Sequence, residues 1–261
     1  MKTRSERKKR LRALLPYGQL ATRQSLREGG FSNHQIDNLL KSESIVADAP
    51  GVYRLPDAPL SWESAVASLQ RFQINVSVGG FTALQMAGLH HYVEMGSKET
   101  VTLLSQKPLP RWLSAVLPDV SFEQTRYSRL FTGLPADQDF WHLLSTARQP
   151  DTRLTTSQPE LAWLEALSGV PDKLSFEHAD YLGESLTTLS PRRLRRLLML
   201  CHNIKVKRLF FWFAERHQHS WRKHLHLADF SLGTGKRVLA NPGKLDRQFL
   251  ITVPESMYGS G

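Results

Sequence analysis

Apolar residues near the start of the chain recur at helical spacing in three short runs. Leu11, Leu14 and Leu15 stand at i, i+3 and i+4, which predicts a helix with one apolar stripe, stopped by Pro16-Tyr17-Gly18. "RQSLRE" follows Thr22, a good N-cap, and Gly29-Gly30 closes it. The third run, "FSNHQIDNLLKS", carries three start signals at once. Ser32 caps, Gln35 sits three residues on as in a capping box, and Phe31 and Ile36 take the two positions of a hydrophobic staple. Ile36, Leu39 and Leu40 form the apolar face, so His34, Asn38 and Lys41 point the other way, with Gln35 and Ser42 beside them. Next, "SIVADAPGVYRL" places two apolar pieces around Asp48-Ala49-Pro50-Gly51, the pattern of a β-hairpin. Helix, helix, tight turn, helix and hairpin is the order of a winged helix-turn-helix, whose second turn helix enters the major groove of DNA.

"YRLPDAPLSW", with Pro56 and Pro59, reads as a linker, which divides the chain into a winged unit at 1–57 and a second domain at 58–261. Beyond it, Glu63 to Phe72 has helical spacing, "INVSV" is a short strand, and Gly79-Gly80 leads into a helix through Leu84. "ETVTLLS" and "VSFEQTR" are strand-like, being β-branched and bounded by turn residues. Helical stretches then dominate: "PELAWLEALSG", "HADYLGESLTTL", "PRRLRRLLMLC", and Val206 to about Trp221. "KRVLANPGKLDRQFLITVP" ends in a strand. The fold class is α+β, a winged helix-turn-helix followed by a larger mixed domain rich in helices late in the chain.

Charge adds a direction to this pattern. Lys and Arg number 34 against 24 Asp and Glu in 261 residues, a net +10, so the chain attracts phosphates or acidic partners. The excess falls in two places. Lys2, Arg4, Arg7, Lys8, Lys9, Arg10 and Arg12 crowd the first segment against Glu6 alone. Arg192, Arg193, Arg195, Arg196, Lys205, Lys207 and Arg208 form the second group, with no acid between Glu184 and Glu215. On "PRRLRRLLMLC", Leu194, Leu197, Leu198 and Cys201 face inward and Arg192, Arg193 and Arg196 outward. Arg192, Arg193, Arg196, Lys205, Lys207 and Arg208 together read as a basic binding face.

The DNA-facing set follows from the two observations together. Lys8, Lys9, Arg10 and Arg12 reach phosphates, which gives salt-dependent affinity without sequence choice. Thr22, Arg23, Ser32 and Asn33 lie at the helix starts; His34, Gln35, Asn38 and Lys41 face the groove, where Asn suits adenine and Lys suits guanine. Tyr53 and Arg54 stand at the wing, Arg54 against backbone or minor groove. Gln35 is explained by its capping box alone. Winged helices also serve as protein-docking modules, so a protein partner for this face stays open as the alternative.

The run "GQLATRQSLREGGFSNHQIDNLLKS…GVYRL…PLSWESAVASLQ…VSVGGFTALQMAGLHHYV" resembles the AbiEi-like antitoxins of type IV toxin–antitoxin systems over nearly the whole chain. "GVYR" at Gly51 to Arg54 and "GGFTALQMAGL" at Gly79 to Leu89 carry the likeness most specifically. One position departs: a Gly commonly follows the reading helix in such proteins, and Glu43-Ser44 stands here. The resemblance implies a bacterial DNA-binding repressor of its own operon that acts on inverted repeats. It further implies that the C-terminal domain counters a nucleotidyltransferase-like toxin encoded beside it.

Catalytic motifs do not assemble. "SVGGFTAL" lacks a P-loop Lys and a third spaced Gly, and reads as a tight strand-to-helix turn. A nucleotidyltransferase would need paired carboxylates close after a Gly-Ser turn; Gly96-Ser97 has none, and Asp137-x-Asp139 comes far later, beside Pro135. His217, His219, His224 and His226 form two His-x-His pairs, but neither pair shares a helical face, and Arg216, Arg222 and Lys223 repel a cation. Cys201 reads as a buried structural thiol. The expectation is a non-enzyme without cofactor or metal. No apolar run approaches the ~20 residues of a membrane span, and no long apolar stretch follows the basic start, so the expected setting is the cytoplasm, at the nucleoid.

Overall fold

The computed structural model describes residues 4–89, 98–132, 144–148 and 153–258, without the side chains of Arg4, 144–148 and Arg153. Gly96, Ser97, Asp137 and Asp139 lie outside the described residues. The chain begins with α1 (Arg4–Leu14), β1 (Ala21–Thr22), α2 (Arg23–Glu28), α3 (Asn33–Lys41), β2 (Val46–Ala49) and β3 (Val52–Arg54). The three strands pair antiparallel in the order β1-β3-β2. The β2–β3 turn is Pro50-Gly51, with Gly51 left-handed at φ +75°, the sequence that a type II turn takes. Leu11, Leu15, Ala21, Leu26, Phe31, Ile36, Ile45 and Tyr53 bury one small core. This is the winged helix-turn-helix that the apolar spacing predicts.

Helix ends here are set by local chemistry. Thr22 and Ser25 cap α2 reciprocally, as Ser32 and Gln35 cap α3. At the far end of α3, Glu43 N–H donates to Leu40 O and Ser44 N–H to Leu39 O, a Schellman closure that needs a left-handed residue. Glu43 supplies it at φ +52°. The position where the resemblance leads one to expect Gly therefore keeps the glycine conformation, at about 1 kcal/mol of backbone cost.

The second domain is built on a five-stranded sheet. Its strands are β4 (Val76–Val78), β5 (Glu99–Ser105), β6 (Val120–Thr125), β7 (Leu144–Arg148) and β8 (Arg153–Ser157), in the order β6-β5-β4-β8-β7. β4 runs antiparallel to β5 and parallel to β8. The helices are α4 (Trp62–Arg71), α5 (Gly80–Met86), α6 (Trp112–Val116), α7 (Pro159–Ser168), α8 (Phe176–Ser185), α9 (Pro191–Leu200) and α10 (Ile204–Arg216), before a hairpin of β9 (Lys244–Asp246) and β10 (Ile251–Val253). α7 and α10 form the centre: Leu161, Trp163, Leu164, Phe210, Phe211 and Phe213 are all buried. Cys201 is buried too, with Leu194, Leu197 and Leu198 on the same side. Among the described residues no helix is long and apolar enough to cross a membrane.

The two units are pinned together. Arg71, at the end of α4, donates to Leu14 O and Leu20 O, and Leu20 N–H donates to Ser68 Oγ at 2.9 Å. Leu20, Ala49 and Val52 of the winged unit join the larger core of the second domain. The Pro-rich connection is tied down as well: Tyr17 Oη donates to Asp57 O at 2.8 Å, and Arg54 to Ala58 O at 3.0 Å.

Gly79-Gly80 makes the strand-to-helix turn that its sequence predicts. Glu165 of α7 accepts from Gly80 N–H at 2.7 Å and from Ser157 Oγ at 2.9 Å, and a Cβ at position 79 would meet its carboxylate at 2.4 Å. Burial pushes this carboxyl up to about 8, against the pull of those two hydrogen bonds. A folded value raised above the ordinary 4.5 means that stability is complete below about pH 4.5 and is lost as pH rises through 8. Glu165→Gln keeps an acceptor for Gly80 and a partner for Ser157 without a charge. The variant is expected to lose less Tm than the parent between about pH 5 and 9; equal Tm-against-pH curves for the two proteins would contradict the assignment.

Candidate nucleic-acid interface

The exposed side of α3 is fixed by what its other side buries. Phe31 and Ile36, the staple pair, are both buried. Ser32 Oγ accepts from Gln35 N–H at 3.2 Å, and Gln35 Oε1 accepts from Ser32 N–H at 2.8 Å. Ser32 and Gln35 are thus engaged with each other at the helix start. Asn33, His34, Asn38 and Lys41 stand exposed. Asn38 and His34 are themselves joined, Nδ2 to Nδ1, at 3.3 Å, so the two present one polar edge.

Of the cations on α1, Lys8, Lys9 and Arg12 are exposed. Arg10 is half-buried: its guanidinium lies 5.8 Å from the centre of the Phe31 ring and covers Gly30. It packs over the turn between α2 and α3 and brings the basic side of α1 next to the start of α3.

Four of the expected contacts are placed differently. Thr22 spends its hydroxyl on the cap of α2, accepting from Ser25 N–H at 3.0 Å. Tyr53 is 2% exposed, with its hydroxyl accepting from Arg23 Nε at 2.9 Å. Arg54 turns inward, donating to Asp48 Oδ1 at 2.8 Å as well as to Ala58 O, because the carbonyls of the connection lie within its reach. Among the described residues the wing turn therefore offers no free cation. Arg23 donates to Asp37 Oδ1 at 2.8 Å, and Asp37 first, then Tyr53, holds its guanidinium above the ordinary value. Asp37 is the residue that sequence reasoning passed over, although it stands one helical turn before Lys41.

The late basic group separates into a surface and an interior. Arg192 and Arg193 are exposed and Arg196 is half-buried; Arg193 lies 3.8 Å from buried Glu160, and Arg195 pairs with Asp229 at 3.1 Å. Arg192, Arg195 and Arg196 line a shallow groove of about 380 Å³ with the exposed Met199 and Leu200. Lys205, Lys207 and Arg208 do not belong to this face. Arg208 is 1% exposed and donates to Leu232 O, Gly235 O and Leu250 O. Lys205 Nζ donates to Ser168 O and Val170 O at the C-terminal end of α7, where a cation suits the helix dipole. Lys207 is buried as well. Lys205, Lys207 and Arg208 are all pulled down from their ordinary values by burial.

The late histidines are placed apart from one another in role. His217 pairs with Asp180 at 2.8 Å and His219 donates to Gly183 O at 2.7 Å, while His224 and His226 are exposed. Among the described residues no three His, Cys, Asp or Glu side chains stand together as a metal would need. A larger cavity of about 770 Å³ lies among α5, β5, β6 and α7. Its Lys173 and Glu123 are paired at 2.8 Å, and no residue of the winged unit lines it.

A capped helix with an exposed polar edge, a basic helix beside it and a short wing define a winged helix-turn-helix protein carried on an α+β domain. Residues 4–95 match a family described as "Transcriptional regulator, AbiEi antitoxin N-terminal domain", and residues 98–254 one described as "Transcriptional regulator, AbiEi antitoxin, Type IV TA system". The chain belongs to the AbiEi antitoxin family of transcriptional regulators of type IV toxin–antitoxin systems. Its fold is similar to the crystal structure of the RV2827C protein from Mycobacterium tuberculosis, at 18% identity and a TM-score of 0.55, over 90% of this chain and 86% of that one. No curated protein matches the chain.

If α1 lies along the phosphates, Lys8, Lys9 and Arg12 act there without base choice. Replacing all three with Ala is expected to weaken specific and random duplexes alike and to flatten the plot of log affinity against log salt by about 0.9 per lost contact. A slope equal to that of the parent protein would remove α1 from the interface.

Proposed function

We propose that the winged unit at 1–57 binds an operator with inverted repeats and represses the operon that encodes the chain. The observation that carries this reading is the exposed row of His34, Asn38 and Lys41 on a helix held by a staple and a capping box. Such a helix brings donors and acceptors to base edges in the major groove, where Asn pairs with adenine and Lys with guanine. Inverted repeats call for two copies, one per half-site. Asn38→Ala or Lys41→Ala is expected to cost about 1–3 kcal/mol on operator and much less on random duplex in gel-shift titration. Equal losses on both duplexes would count against base reading; no shift at all would favour a protein-docking role for the same face.

The domain at 58–261 counters, in this reading, a nucleotidyltransferase-like toxin encoded beside the chain. Arg192, Arg193 and Arg196 with Met199 and Leu200 form the face assigned to that role. Exposed Arg and Met beside an exposed Leu suit a protein surface more than a phosphate backbone, because Arg and Met are enriched at protein interfaces. The combined substitution Arg192→Glu and Met199→Asp is expected to abolish protection from the toxin in co-expression while the operator shift stays. Full protection by this variant would move the antitoxin role elsewhere on the domain.

A further inference from the structure

The ion pair between Arg23 and Asp37 joins α2 to α3 on their solvent side. The two side chains are 37% and 50% exposed, and a pair so open to water adds little to stability. Its position matters more. Asp37 is the one acid of α3, four residues before Lys41 and three after His34, spacings at which side chains on a helix meet. Arg23 is held from the other side. Its Nε donates to the hydroxyl of buried Tyr53, and its backbone N–H donates to Gly51 O of the wing turn at 2.8 Å. The guanidinium is therefore anchored to β3, and the Arg23 backbone to the wing turn, and the carboxylate comes to it.

We infer that Arg23 is a positioning residue for operator reading: it draws the Asp37 carboxylate toward α2, away from Lys41, and cancels the negative charge that α3 would otherwise carry toward the phosphates. This rests on the DNA-reading role proposed for α3. Without Arg23, Asp37 regains Lys41 as its i→i+4 partner, with the acid on the N-terminal side, the favourable orientation in a helix. The amine that should read a base is then engaged, and a carboxylate stands near the duplex. Both effects require the charge on Asp37. A direct contact from Arg23 to a phosphate would not.

The test uses the full chain, the duplex upstream of its own reading frame and a scrambled duplex of equal length, titrated by fluorescence anisotropy over a range of salt. Arg23→Ala is expected to lower operator affinity about tenfold and to narrow the preference over the scrambled duplex. Adding Asp37→Asn is expected to restore both to within about threefold of the parent, with the salt slope of the parent. Asp37→Asn alone should bind as tightly as the parent or more tightly. A double variant as weak as Arg23→Ala, with a slope smaller by about 0.9, overturns the inference and makes Arg23 itself a phosphate contact. Should Arg23→Ala fail to fold, Asp37→Asn decides alone, and weaker operator binding by that variant overturns the inference. Parent protein that does not prefer its own duplex overturns the DNA-reading role and this one with it.

Discussion

The burial of Ile36 fixes everything on the reading side of the winged unit. An α-helix turns 100° per residue, so once Ile36 is fully inside, His34, Asn38 and Lys41 have no direction left but outward. Phe31 closes the staple from the preceding turn, and Ser32 and Gln35 satisfy each other at the helix start. Arg10 then lies over Phe31, and α1 follows it to the same edge. Arg71 passes this order on to the second domain by holding the carbonyls at both ends of the α1–β1 connection. The winged unit and the larger domain thus share one packed framework.

Net charge overstates what the surface offers. Of the 34 cations, several serve the interior: Arg208 gathers three loop carbonyls, Lys205 closes the end of α7, and Arg71 clamps the domains. A guanidinium with its five donors suits such work, because each buried carbonyl left without a partner costs about 1–3 kcal/mol. The same economy applies to Arg54 and Arg23, each held by an acid of its own unit. Among the described residues of the winged unit, what remains for a duplex is the exposed side of α1, Arg27 and Lys41.

Local signals were legible and distant ones were not. The N-cap at Thr22, the capping box at Ser32, the bounds of α2, the staple and "ETVTLLS" as β5 all follow from residues within a few positions of each other. The inward row of Leu194, Leu197, Leu198 and Cys201 follows in the same way. β8 escaped because "RLTTS" is polar; it is a strand through its pairing with β7 and β4, and Gln70 bonds both N–H and C=O of its Thr155 from 85 residues away. The fate of Arg208 depends likewise on Leu232 and Leu250, far along the chain. Asp37 was visible in the sequence, yet its partner Arg23 lies on another helix, so the charge of the face could not be read from α3 alone.

Whether the outward edge of α3 lies in a major groove can be read by site-directed disulfide trapping. The lone native thiol, Cys201, is 2% exposed, so a cysteine placed at position 38 is the reactive one. A duplex from upstream of the reading frame would carry a disulfide-bearing tether on a major-groove base edge, stepped along each half-site. The expected result is an adduct from Asn38→Cys confined to one or two base positions per half-site, and none from Tyr181→Cys, another exposed position, on α8. Adducts spread evenly along the duplex, or the same yield from position 181, would contradict base reading by this helix.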